Sequence, residues 1–297
     1  MPDLQQGKFY MRWKTGRRSR NIEDIRGNKP KRFSRGVKRG GIGTILIALA
    51  AMYFGIDPSF LLQGTNNYSA TNQPQQAHHL SAKEKQLGEF VSVVLADTED
   101  TWQKIFSEMG RKYKEPKLVL FTNEVKSACG YAKSAMGPFY CPADQKVYID
   151  LGFYNDLKNR HNAPGDFAQA YVIAHEIGHH LQTLLGISQK VHQAKRKVNK
   201  QKANALSIQQ ELQADCLAGV WAHHAKRSRS ILDPGDIEEA LGAASAIGDD
   251  RLQKQARGYI TPESFTHGSS EQRVRWFKNG FDNGSLGQCN TFKANRL

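Results

Sequence analysis

From Ala170 to Leu185 the chain reads Ala-Tyr-Val-Ile-Ala-His-Glu-Ile-Gly-His-His-Leu-Gln-Thr-Leu-Leu. This stretch limits what everything around it can fold into. Tyr171, Val172, Ile173, Leu181, Leu184 and Leu185 suit a helix that crosses a domain core. Such a helix carries His175, Glu176 and His179 in H-E-x-x-H spacing. Residues four apart stack on one helix face, so both imidazoles reach one point, and Glu176 flanks that point about 100° round the axis. Buried imidazoles need a partner. Zinc is the expected one: two imidazoles, a third protein ligand and a water complete a tetrahedron, with Glu176 set to take a proton from the water. The plainer alternative is a core helix with two hydrogen-bonded histidines. His180 points away from the His175/His179 face and reads as structural or solvent-facing.

A third ligand has to come from elsewhere. Glu211-Leu212-Gln213-Ala214-Asp215 lies in a second helical stretch flanked by Cys216, Leu217, Val220 and Trp221. Apolar flanks mean burial, and buried carboxylates need partners. Glu211 and Asp215 are four apart, so Glu211 can bind the metal while Asp215 accepts the outer N–H of a ligand histidine. Read instead as solvated helix carboxylates, the pair would have no such role. His192, His223 and His224 sit in polar stretches and read as surface histidines.

Charge is distributed unevenly. Of the total +14, residues 1–40 hold thirteen lysines and arginines against three acids, so the rest of the chain is nearly balanced and no nucleic-acid-binding body is expected. A basic tail alone keeps a nucleic-acid-binding alternative open. Directly after it, Gly40 to Ile56 runs without a charge, about the shortest apolar length that spans a bilayer. The basic edge at Lys38-Arg39 predicts a single-pass signal anchor with its N-terminus in the cytoplasm and the body across the inner membrane, in the periplasm. Four segments are therefore expected: a basic cytoplasmic segment 1–39, an anchor 40–56, a polar linker 57–80 and a body 81–297.

Within the body, Ser81 and Glu84 form a capping box for one long helix or two over 82–109. Residues 117–121 and 146–151 read as strands, with a Gly/Pro-rich loop between them that carries Cys129 and Cys141. Helices are expected from Gly165 or Asp166, over 207–228, from about 236 to 257, and over 270–279, with a Lys-rich connector at 190–202. Strands before the motif and helices after it make the fold class α+β.

The motif with Glu211–Asp215 resembles the neutral zinc metallopeptidases of bacteria, within the wider gluzincin-like zincins. So do Met11-Arg12-Trp13, Asn21-Ile22-Glu23-Asp24, Cys129-Gly130, Gly137-Pro138-Phe139-Tyr140-Cys141-Pro142, Val147-Tyr148-Ile149-Asp150 and His267 to Arg273. Family members begin near the position of Met11, which leaves Met1 or Met11 as the start. The resemblance implies a zincin-like domain, zinc, a membrane-anchored enzyme, and site roles for His175, Glu176, His179, Glu211 and Asp215.

An exported body permits disulfides. Cys129–Cys141 closes a short loop and is the expected pair, whereas Cys216 either pairs with Cys289 or stays a buried thiol. The expected activity is hydrolysis of a peptide or protein substrate by Glu176-assisted attack of water activated at Zn2+. A metal-binding envelope scaffold without turnover is the alternative. His267, in the turn before the last helix, is expected either to stabilise an oxyanion or to cap that helix. Tyr148 and Tyr259 are weaker candidates for the oxyanion role.

Overall fold

Residues 11–27 and 80–297 are described by a computed structural model. The anchor stretch 40–56 and nearly all of the linker lie outside them. Among the described residues no helix is long and apolar enough to cross a membrane.

The sheet has four strands in the order β1-β2-β6-β5. Strands β1 (Ile22–Asp24), β2 (Lys117–Phe121) and β6 (Lys146–Asp150) run parallel, with Ile22 opposite Leu118 and Leu118 opposite Val147. Strand β5 (Phe139–Cys141) pairs antiparallel with β6 and forms one edge. The parallel strands are buried runs (Leu118, Leu120 and Ile149 inside the main core), as strands covered on both faces must be. Val119, Phe121 and Tyr148 look the other way, onto a second cluster capped by Val125 and Ala132 of a hairpin, β3 (Glu124–Ser127) and β4 (Gly130–Lys133).

Strand β1 corrects the expected segmentation. Residues 1–39 are expected to stand apart from the body, yet residues 11–26 are built into it. Trp13 packs edge-on against Phe90, Arg12 N–H donates to Ile231 O at 2.8 Å, and Ser19 and Asn21 donate to the buried Glu99. Arg26 Nη1 donates to Glu84 O at 2.8 Å, so the chain leaves this unit after residue 26 beside the point where it re-enters at residue 80.

The helices that follow are longer, or broken differently, than periodicity predicts. Helix α1 (Ala82–Glu108) is single, with the Ser81/Glu84 capping box in place. After a short α2 (Gly152–Asn159), the motif helix α3 runs Asp166–Leu184. Part of the expected connector is itself helical, as α4 (Ile187–Lys195). Asn199 then caps α5 (Lys200–Arg229) by accepting from Lys202 N–H, and without Gly or Pro near its start that helix begins two turns early. The expected single helix to residue 257 is two, α6 (Asp236–Ala246) and α7 (Asp249–Arg257), parted at Gly248. Helix α8 (Ser270–Asn283) starts at a Ser269/Gln272 capping box. Its backbone meets α5 directly, because a Cβ on Gly280 would fall on Cys216 O and one on Gly219 on Phe277 O. The expected pair Cys129–Cys141 is bonded, and of the two alternatives for Cys216 the structure has the bond to Cys289, which ties the C-terminal tail to α5.

Candidate metal centre

Helices α3 and α5 bring His175, His179 and Glu211 together, with their ligand atoms all within 4.8 Å of one another. Glu211 Oε2 lies 3.2 Å from His175 Nε2 and 3.5 Å from His179 Nε2. With zinc–ligand bonds of 2.0–2.1 Å, the edge of a coordination tetrahedron is about 3.3 Å, so the spacing fits zinc.

The ring nitrogens behind this cluster are pinned. His175 Nδ1 donates to Asp215 Oδ1 at 2.8 Å, and His179 Nδ1 donates to Gln182 Oε1 at 2.9 Å. Both Nε2 lone pairs then face a carboxylate, a concentration of negative potential that only a cation or protons can relieve. The same potential favours the charged form of both rings. Burial alone would lower His179, but Glu211 outweighs it and pushes the ring up to about 9. Burial likewise opposes a charge on His175, and Asp215 and Glu211 overcome it.

Asp215 is fully buried and needs more than a histidine to stay ionised. Arg273 of α8 grips it with both arms of its fork, Nε to Oδ2 and Nη2 to Oδ1, each at 2.9 Å. Tyr171 OH donates to Oδ1 at 2.5 Å. Burial works against the carboxylate, yet Arg273 and His175 hold it well below the usual range. Arg273 and Tyr171 were not singled out from sequence. Tyr171 reads as one more apolar residue of the helix, and Arg273 acquires its role only through the close α5–α8 contact.

A cavity of about 820 Å³ opens over the centre, lined by His175, Glu176, His179, Glu211 and, from the far wall, His267. His267 is half exposed, and its Nδ1 sits 3.2 Å from Asp249 Oδ1. Asp249 Oδ2 also accepts the N–H groups of Thr266, His267 and Gly268, so one carboxylate shapes the whole turn. With Nδ1 engaged, Nε2 is the nitrogen left for a ligand. The two tyrosine candidates are corrected. Tyr148 donates to Asp144 and stacks behind Phe139 without lining the cleft itself, and Tyr259 is exposed beneath Arg257.

His180 is structural and fully buried. Its Nε2–H donates to Lys114 O at 2.6 Å and its Nδ1 accepts from Tyr140 OH at 3.1 Å. Burial pushes it down to about 4, so it stays neutral. It thereby fastens Tyr140, and with it the edge strand β5, above the metal ligands. His223 and His224 bond to Phe281 O and Gly284 O, away from the centre.

The family described as "Putative neutral zinc metallopeptidase" matches residues 11–292. The chain belongs to this family. It is 49% identical over 288 residues to the uncharacterized protein YpfJ of Escherichia coli K12, covering 95% of this chain and 99% of that one. It is 36% identical over 258 residues to the uncharacterized protein Rv2575 of Mycobacterium tuberculosis H37Rv, covering 82% and 85%. No solved structure matches. The family name implies Zn2+, in agreement with the donor set of His175, His179 and Glu211.

Proposed function

We propose that this family member is a zinc-dependent endopeptidase or exopeptidase that hydrolyses peptide bonds in the cleft between β5 and α3. The observation that carries this reading is the donor triad spaced as a tetrahedron edge, with Glu176 in the same cleft. A zinc ion bound there supplies Lewis acidity toward a carbonyl oxygen and makes water acidic near neutral pH. Glu176 takes the proton of the attacking water and returns it to the leaving amine. His267, oriented by Asp249, presents Nε2 to the oxyanion. Asp215, held by Arg273 and Tyr171, keeps His175 in the tautomer that turns Nε2 inward. Strand β5 is an edge strand, and an extended peptide pairing with such an edge would suit a polypeptide substrate.

The test is Glu176→Gln. This variant should keep stoichiometric zinc and lose roughly 10²–10⁴ in kcat against quenched peptides, the usual worth of a general base. Hydrolysis at the wild-type rate would sink the mechanism.

For location, we propose an exported body attached to the bacterial inner membrane. All four cysteines are in disulfides, which supports an oxidising compartment. Because residues 11–26 share a sheet and a core with 80–297, a single crossing at 40–56 would tear Trp13 from Phe90 and β1 from β2. The proposed arrangement therefore keeps residues 11–26 and 80–297 on one side of the membrane, while the apolar stretch itself lies outside the described residues. Compartment reporters fused ahead of residue 11 and after residue 297 should both report export. Opposite compartments would restore the single-pass arrangement and contradict the packing of β1.

A further inference from the structure

A second cavity, of about 320 Å³, adjoins the metal centre on the α4 side. It shares Tyr140, His179 and Glu211 with the main cleft, so the two adjoin at the metal-ligand residues. Its size is at the low end for ligand pockets, suited to one side chain. Lys195 and His192 of α4 line it, and its only carboxylate, Glu211, is committed to the metal position. Lys195 Nζ donates to Ser207 Oγ at 2.7 Å, and Ser207 donates in turn to Ala203 O, which directs the ammonium while leaving two of its N–H bonds free.

The surroundings reinforce this one sign. Between Glu176 and Glu211 the chain has no acidic residue, but it has Lys190, Lys195, Arg196, Lys197, Lys200 and Lys202. Among the described residues none of these six joins a salt bridge. Cations on a solvated face need no partner, and five of the six fit that description. Lys195 does not, because it is only partly exposed and is held inside a recess beside the metal ligands. A lined recess with one sign of charge focuses potential on whatever occupies it.

We propose that this recess is a specificity subsite for a substrate carboxylate next to the scissile bond, with Lys195 as its ion-pair partner. The proposal deepens the peptidase reading and rests on it for the identity of the ligand as a peptide. A membrane headgroup or a nucleic-acid phosphate fits less well. The ammonium lies in a recess that shares His179 and Glu211 with the reaction cleft, not on an open face.

The test uses the zinc-loaded full chain and quenched octapeptides that carry Glu, Gln or Lys at each of three positions on either side of the cleaved bond. Each peptide is made with a free and with an amidated C-terminus, which separates a side-chain carboxylate from a chain-terminal one. At one position Glu should exceed Gln about tenfold in kcat/KM and exceed Lys by more. Lys195→Met should abolish the Glu-to-Gln ratio, and Lys195→Glu should invert it in favour of Lys. Ratios measured within one protein are insensitive to any change in stability.

If all three proteins show the same ratios, the subsite is refuted and the peptidase reading stands. If nothing is cleaved, fluorescein-labelled Glu and Lys peptides are titrated onto the zinc-loaded Glu176→Gln chain. Lys195-dependent binding of the Glu peptide would then keep the carboxylate site and refute the peptidase, and no binding would refute both. Binding of phosphatidylglycerol vesicles or a single-stranded oligonucleotide through Lys195, without charge preference among the peptides, would also overturn the proposal.

Discussion

Gly178, inside the motif, separates the two helices that build the centre. A Cβ at this position would lie 2.9 Å from Ala214 Cα, 3.0 Å from its carbonyl oxygen and 3.1 Å from its Cβ. Relaxed carbon contacts are about 3.5–4.0 Å, so Gly178→Ala asks α3 and α5 to part by roughly 0.6 Å. Two of these atoms are backbone and the third is a Cβ fixed to it, so none can swing aside. Ala214 directly precedes Asp215 and lies three residues from Glu211, while His179 directly follows Gly178. The separation is thus passed straight to the His179–Glu211 spacing. Metal–ligand distances tolerate only about ±0.2 Å, so the shift exceeds the tolerance about threefold.

Stability is a blunt readout of this change. Overpacking costs about 1–3 kcal/mol, and the helix propensity of Ala over Gly returns up to about 1 kcal/mol of it. Zinc affinity is the sharp readout, and we expect a loss of about 10–100-fold, comparable to losing an outer partner of a ligand. It is measured by competition with a chromophoric chelator, with thermal melts in excess chelator reporting the fold alone. Gly242→Ala in α6 is the control, because a Cβ there meets nothing within 4 Å. That variant should gain stability with zinc affinity unchanged. Wild-type zinc affinity in Gly178→Ala would refute the claim that this contact sets the ligand spacing.

The Cys216–Cys289 bridge spans 73 residues and Cys129–Cys141 spans 12, so loop entropy makes their removal by Cys→Ser pairs cost about 4 and about 3 kcal/mol. Chemical denaturation should rank them in that order, and no loss from the longer loop would refute it. His267→Ala should lower kcat by roughly 10²–10³ with zinc content unchanged, and Asp249→Asn by less. A fall in melting temperature at constant kcat would make His267 structural. Asp166, Asp236 and Glu239 crowd their oxygens within 4.8 Å at the start of α3. Burial first, then Asp166 and Asp236, push Glu239 up to about 7, although its bond from Phe167 N–H resists. Glu239 therefore holds more proton in the folded chain than in the unfolded one between about pH 4.5 and 7, and its contribution to stability falls as pH rises through that window. Glu239→Gln keeps an acceptor for Phe167 and should raise the melting temperature at pH 8 more than at pH 5; the reverse order would refute the assignment.

Where a signal was local, the sequence reveals it. The Ser81/Glu84 box, the strands expected over 117–121 and 146–151 and the motif helix each depend on residues a few positions apart, and each forms there, the second strand ending one residue early at Asp150. The i, i+4 pair His175/His179 and the pair Glu211/Asp215 are readable for the same reason. Strand β1 is not. Ile22-Glu23-Asp24 has two acids in three residues inside a basic stretch, and becomes a strand only because Leu118, 96 positions on, offers its edge. Glu23 then meets Lys117 and Lys146, a partnership no window of sequence contains. The same applies to the break at Gly248, which serves the packing of the turn before α8 and no local rule.

The buried charges beneath His175 carry this argument into the site itself. Asp215 has two tasks with opposite demands: it must be ionised to fix the His175 tautomer, and it must be dry to act strongly on it. Alone it would satisfy neither, since burial favours the neutral acid, which would give His175 Nδ1–H a poorer acceptor. Arg273 resolves the conflict by bringing a permanent charge in bidentate geometry, and Tyr171 fills the next acceptor site. That solution requires α8 to lie against α5 closely enough for a guanidinium to reach, which is what Gly219 and Gly280 permit. A lysine at position 273 would keep the charge but lose the fork. The determinants of the metal centre therefore extend through Asp215 to a helix that contributes no ligand, and are set there by two glycines rather than by any residue with chemistry of its own.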